Sequence, residues 1–116
     1  MIEIQVNVDC SDLDTMVAFY SAALDYVPHG GAGTRYRSIT PARGGDGPKL
    51  VFQKVPEPKA AKNRVHLDLI VGDVEAARAR FVALGATEAS AVISEDGCSW
   101  IVMHDPEGNE ICLCDS

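Results

Sequence analysis

Apolar and polar residues alternate at the start of the chain. Ile4, Val6 and Val8 fall on one side of an extended backbone, and Gln5 and Asn7 on the other. The period then lengthens. Leu13, Met16, Val17, Tyr20, Ala23 and Leu24 recur at helical spacing behind Ser11 and Asp12, short polar residues suited to cap a helix N-terminus. Alternation returns in YRSI and KLVFQKV, which read as strands on either side of the glycine-rich ARGGDGP.

The same succession of periods begins again at Val65. Val65, Leu67 and Leu69 alternate with His66 and Asp68, and a helix follows from Gly72/Asp73 with Val74, Ala77, Phe81 and Leu84 on its apolar stripe. Gly85 is placed to end that helix in a left-handed conformation. EASAVIS and SWIVMH read as strands around EDGC, and DPEGN as a tight turn into EICLC. Residues 4–26 lie over 65–87 at an offset of 61, and the same offset puts GPKLVFQ over GNEICLC. Two separated segments sharing one offset point to a duplication. The expected fold is α+β with two tandem βαβββ modules: module one over about 1–56, a connector over 57–64 and module two over about 65–116.

Composition narrows the function. With 116 residues, 47% of them hydrophobic, the chain suits one folded domain. Its net charge is −7, unevenly spread: residues 1–64 hold eight basic and seven acidic side chains, residues 65–116 two and ten. Without a basic stripe, nucleic acid is not an expected partner. No apolar run approaches the roughly 18 residues of a membrane span, so no membrane partner is expected either. MIEIQVNVD lacks the order of a signal peptide, and four cysteines show no disulfide-like spacing, so a cytosolic setting with free thiols is expected. Lys54, Lys59, Lys62 and Arg64 flank the connector and read as a solvated linker rather than an anion site.

Several residues stand out for chemistry. His66 and Asp68 share one strand face, as a proton-transfer pair or as polar groups on a pocket floor. Gln5, Asn7 and Gln53 would be unusual on an apolar core face, which favours a hydrated or ligand-lined concavity. Cys112 and Cys114 share a face of the last strand; packing as small apolar groups is preferred to a soft-metal or redox pair. Trp100 is either a core anchor or a stacking platform. His104 is assigned to the turn before Asp105 and Pro106, and His29 to the loop PHGGAG. Asp105 and Asn109 are expected to hydrogen-bond the local backbone.

The two βαβββ copies, AFYSAALDY, HLDLIV and the closing DPEGNEICL resemble the vicinal oxygen chelate superfamily, which includes glyoxalase I, bleomycin-resistance proteins and extradiol dioxygenases. The resemblance spans essentially the whole chain, and is narrower still to small glyoxalase-like proteins. It implies a cupped mixed sheet with helices on the outer face and one concave site. It also implies metal ligands at the middle of the first strand and on the last strand of each module, which here are Gln5, Val51, His66 and Cys112. A two-residue slip would substitute Gln53, and Glu110 or Cys114. Valine cannot ligate, Gln is a weak neutral donor, and Cys suits a softer ion. No cofactor is therefore expected, with a divalent metal on His66 as the alternative and Gln5, Cys112 and Glu110 as weak co-ligands.

Three functions follow from the resemblance. One is a lyase, isomerase or dioxygenase acting on a small oxygenated metabolite, with His66 and Asp68 catalytic and Gln5, Asn7, Gln53, Trp100 and Cys112 contacting the ligand. The second is a non-catalytic binder of a cationic drug-like molecule, favoured by the acidic second module. The third is a metal-free dimerisation or regulatory domain. A homodimer is expected in each case.

Overall fold

A computed structural model describes residues 1–30 and 35–116. The chain divides into two compact units, residues 1–58 and 59–116. Each is a βαβββ arrangement, and the α+β expectation holds.

The first unit runs β1 (Gln5–Cys10), α1 (Leu13–Leu24), β2 (Tyr26–His29), β3 (Tyr36–Pro41) and β4 (Lys49–Lys54). Its sheet has the order β1-β4-β3-β2, with β1 and β4 parallel and the other pairs antiparallel. Asp12 caps α1 by accepting a hydrogen bond from the Thr15 amide at 3.0 Å, satisfying a donor that has no intrahelical partner. Asp25, at φ 56°, ends the helix in the left-handed region. The helix buries Met16, Phe19 and Tyr20 together with Ile39, Leu50 and Phe52 of the sheet. Tyr20 stacks on Phe52 with ring centroids 5.5 Å apart, and Phe19 meets Tyr20 edge-on at 4.9 Å.

The second unit runs β5 (Leu67–Ile70), α2 (Val74–Leu84), β6 (Thr87–Glu88), β7 (Ile93–Glu95), β8 (Cys98–His104) and β9 (Glu110–Cys114). The order is β5-β9-β8-β6, with β7 hydrogen-bonded to β8 beyond that path. Asp73 caps α2 on the Ala76 amide at 3.0 Å, and Gly85 at φ 118° ends it. Phe81, Ile101, Met103, Ile111 and Leu113 form this unit's core.

The duplication is visible in strand register. Val6 pairs with Leu50 and Asn7 with Val51; 61 residues later Leu67 pairs with Ile111 and Asp68 with Cys112. The two helix caps, Asp12 and Asp73, obey the same offset. Equivalence weakens on the helices themselves. Val17, buried in α1, corresponds to Arg78, which leaves the core to pair with Glu75 and Glu88.

Four expectations are corrected. The strand expected from Val65 starts at Leu67; Val65 and its counterpart Ile4 are 79% and 78% exposed and pack against no helix. EASAVIS is not one strand. The Ala89 and Ser90 amides both donate to the Val102 carbonyl and Ser90 Oγ accepts from the Val102 amide, a bulge that separates β6 from β7. His104 ends β8, paired with Thr87 and Glu110, rather than belonging to the turn. His29 ends β2, its Nε2 against Thr40 Oγ1, instead of lying in a loop; residues 31–34 of that glycine-rich stretch lie outside the described residues.

The turns follow their chemistry. Asp96 and Gly97 both take positive φ, 51° and 79°, as a two-residue hairpin turn between β7 and β8 requires. Asp105, 3% exposed, accepts at Oδ1 from the Glu107 and Asn109 amides and at Oδ2 from Asn109 Nδ2, which closes the turn into β9.

Candidate functional site

The second sheet has one face built for packing and one for polar groups. Ile101, Met103, Ile111 and Leu113 are buried in the core. Strand alternation sends Asp68, Trp100, Val102, Cys112 and Cys114 to the opposite face. Trp100 is half-buried there, opposite Cys114 and Ile93, and therefore is not anchored among the core residues.

His66, Asp68 and Cys112 come together on that face. His66 Nε2 lies 3.2 Å from Asp68 Oδ1, and Asp68 is the direct cross-strand partner of Cys112. One ligand atom from each residue lies within 4.8 Å of the others. The His66 and Asp68 side chains are 43% and 59% exposed, whereas Cys112 is 8% exposed. Burial pushes the Cys112 thiol above its ordinary range, and the Asp68 charge adds to the effect. The thiol therefore keeps its proton at neutral pH and is a poor nucleophile. The carboxylate orients the imidazole, as a proton-transfer pair needs, although both groups are open to water.

The segment leading into His66 is held down. Lys62 Nζ binds Glu110 Oε2 at 2.6 Å, and Asn63 Oδ1 accepts from the Glu110 amide at 3.2 Å. Lys62 holds the Glu110 carboxyl below its usual value, chiefly by that hydrogen bond. Two connector residues thus tie the chain just before His66 to the start of β9. The sequence offered only a solvated linker here, since a cation–carboxylate pair so far apart in the chain has no local signature.

In the first unit the equivalent face carries Gln5 and Asn7 on β1 and Val51 and Gln53 on β4. Asn7 faces Val51, and Gln53 sits between Asp9 and Tyr36. The ligand set implied by the resemblance therefore does not fit. Val51 offers no donor, and Glu110, the alternative carboxylate, is engaged by Lys62. Within the second unit His66 and Cys112 of that set are brought together, and the residue that joins them is Asp68.

A family model described as a glyoxalase-like domain matches residues 5–114. The chain belongs to the glyoxalase-like domain family. Its fold is also that of solved structures from the glyoxalase/bleomycin resistance/dioxygenase superfamily. A family enzyme from Burkholderia phytofirmans PsJN is 18% identical with a TM-score of 0.75, covering 95% of this chain and 94% of its own. A fosfomycin resistance protein from Mesorhizobium loti is 17% identical with a TM-score of 0.73, covering 100% and 94%. A glyoxalase/bleomycin resistance protein from Albidiferax ferrireducens T118 is 20% identical with a TM-score of 0.68, covering 95% and 94%. A comparison with curated proteins gives no match. At such identities these neighbours establish the glyoxalase-like fold and leave the chemistry to the residues. Among the described residues, no helix is long and apolar enough to cross a membrane.

Proposed function

We propose that this glyoxalase-like protein binds a small oxygenated metabolite over the His66–Asp68 face of the second sheet and moves a proton on it, as a lyase or isomerase. The 3.2 Å approach of His66 Nε2 to Asp68 Oδ1 carries the reading. A carboxylate-oriented imidazole exposed to solvent is placed to exchange a proton with a bound carbon or oxygen acid. Trp100 supplies an apolar surface on the same face, and the protonated Cys112 a neutral floor. Gln5, Asn7 and Gln53 are the ligand-contacting candidates of the first unit. A cytosolic homodimer belongs to the same proposal, drawn from the free cysteines and the superfamily resemblance.

A second reading, a non-catalytic binder of a cationic ligand, is favoured by the exposed Asp68 carboxylate and by the acidic excess of residues 65–116. Thermal shift on chelator-treated protein separates the two. A ligand present at about 100 times its Kd stabilises the folded state by about 2.7 kcal/mol, enough to raise the melting temperature by several degrees. Hemithioacetals and related oxygenated compounds should produce such a shift in the native chain and a smaller one in His66→Ala. A response confined to cationic glycopeptides would favour the second reading. No response to either class would overturn both.

A further inference from the structure

The trio on the second sheet has a donor set unlike the one the superfamily resemblance implies. We infer that His66, Asp68 and Cys112 form a three-ligand site for a borderline-soft divalent cation, Zn²⁺ or Co²⁺, made by the second unit alone. The inference shares its residues with the proposed small-molecule face, and rests on that reading only for what would occupy the cation's open position.

The geometry is close to what such an ion requires. A tetrahedral ion with bonds of about 2.0–2.3 Å holds its ligand atoms about 3.3–3.7 Å apart. Here the three atoms lie within 4.8 Å of one another, and the His66–Asp68 pair is already at 3.2 Å. Movement of about an ångström by two exposed side chains closes the site around Cys112, which the strand holds in place. Their exposure also gives the ion a way in.

Donor chemistry selects the ion. One imidazole nitrogen, one carboxylate oxygen and one thiolate sulfur suit Zn²⁺ and Co²⁺, whereas Mg²⁺ and Mn²⁺ prefer all-oxygen or oxygen-rich shells. Three protein ligands leave one tetrahedral position for water or for a ligand oxygen, the pattern of a catalytic rather than a structural site. Among the described residues, the first unit has no equivalent. Its counterparts, Gln5, Asn7 and Val51, comprise two neutral amides and a hydrocarbon at the same register positions. The scaffold is repeated, and the ionisable donors at these positions belong to one copy.

Titration of the full, chelator-treated chain with Co²⁺ alone tests this. The expected result is one equivalent bound per chain, with a sulfur-to-cobalt charge-transfer band in the near ultraviolet and displacement by Zn²⁺ but not by an equal concentration of Mg²⁺. Binding should release a proton from the thiol, read as a buffer-dependent heat. Cys112→Ser should remove the band, and Cys114→Ser should keep it. His66→Ala and Asp68→Asn, at exposed positions that leave the fold intact by circular dichroism, should each weaken binding at least tenfold. Absence of the band at stoichiometric Co²⁺, its survival in Cys112→Ser, or unchanged affinity in both exposed-residue variants would overturn the inference. The small-molecule reading is tested with metal removed, so either can fail while the other stands.

Discussion

Asp68 sits directly across from Cys112 on the parallel strands β5 and β9, in the register that sets Asn7 across from Val51 on β1 and β4. One scaffold position thus holds a carboxylate and a thiol in the second unit, and an amide and an isopropyl group in the first. The backbone geometry is repeated while the chemistry differs. What distinguishes the two pairs is their side chains alone, because the shared fold treats both alike.

That comparison makes a direct prediction. Cys112→Val copies the first unit's residue into a nearly buried position, with a small change in volume and a side chain suited to a strand. Folding stability should change by less than about 1.5 kcal/mol in urea denaturation, with an unchanged m value. Loss of cooperative unfolding would mean that the thiol is needed for structure.

The caps give a second prediction. Asp73→Ala leaves the Ala76 amide without its acceptor and should cost about 1 kcal/mol. Asp12 makes the matching contact on α1, and the Thr15 amide and hydroxyl hold its carboxyl below the ordinary 3.8. A carboxyl lowered by folding adds stability above its unfolded value, and that contribution is lost as pH falls through the folded one. Acid unfolding of native protein between about pH 5 and 2 should therefore be steeper than that of Asp12→Asn, which keeps an acceptor but not the charge. Identical profiles would remove Asp12 from the acid response.

A third prediction concerns Gly47, at φ 146°, where an added Cβ would collide with the Tyr26 hydroxyl. That hydroxyl donates to the Pro48 carbonyl at 2.8 Å, and burial raises its pKa. Gly47→Ala should break this bond and also strain the backbone, for a loss of about 2–3 kcal/mol. Gly97→Ala carries only the strain, since nothing lies within 4 Å of where its Cβ would stand, and should cost about 1 kcal/mol. Spectroscopic titration should find the Tyr26 phenol moved toward its ordinary value of 10.0 in the Gly47 variant.

Much of the fold was legible because its signals are local or repeated. Asp12 and Asp73 precede apolar helical stripes, Gly85 follows one, and Asp96-Gly97 marks a hairpin; each acts through its own backbone. The offset of 61 paired β1 with β5 and β4 with β9 without any knowledge of contacts. What escaped depended on partners far along the chain. Ser90 replaces a backbone bond at Val102 and splits a strand whose alternation looks continuous. Val65 and Ile4 continue the apolar alternation beyond the last ladder pair, where a side chain has no sheet to lie on. At the site, His66 and Asp68 stood out as two residues of one strand face. Cys112 was set beside His66 by the resemblance, but its direct pairing with Asp68 came only from strand register, which composition does not reveal.

The clasp between Lys62 and Glu110 supplies the last prediction. Glu110 is fixed by Lys62 at 2.6 Å, and its own amide donates to Asn63, so that residues 62 and 63 hold the chain where it turns into His66. Lys62→Met removes the cation while keeping an aliphatic stem, and the Glu110 carboxyl should rise toward its ordinary 4.5. Lowering the pH of native protein through the folded value of Glu110 should protonate it and release the same clasp; above the ordinary carboxylate range the clasp is complete. An exposed pair such as this contributes little to global stability, so the melting temperature should barely move. The effect belongs to position. Amide exchange over residues 62–68 should quicken severalfold in Lys62→Met, and ligand affinity at the His66–Asp68 face should fall along with it. Unchanged exchange in that segment would show that Asn63 alone positions His66, and Asn63→Ala would then be the variant that loosens it.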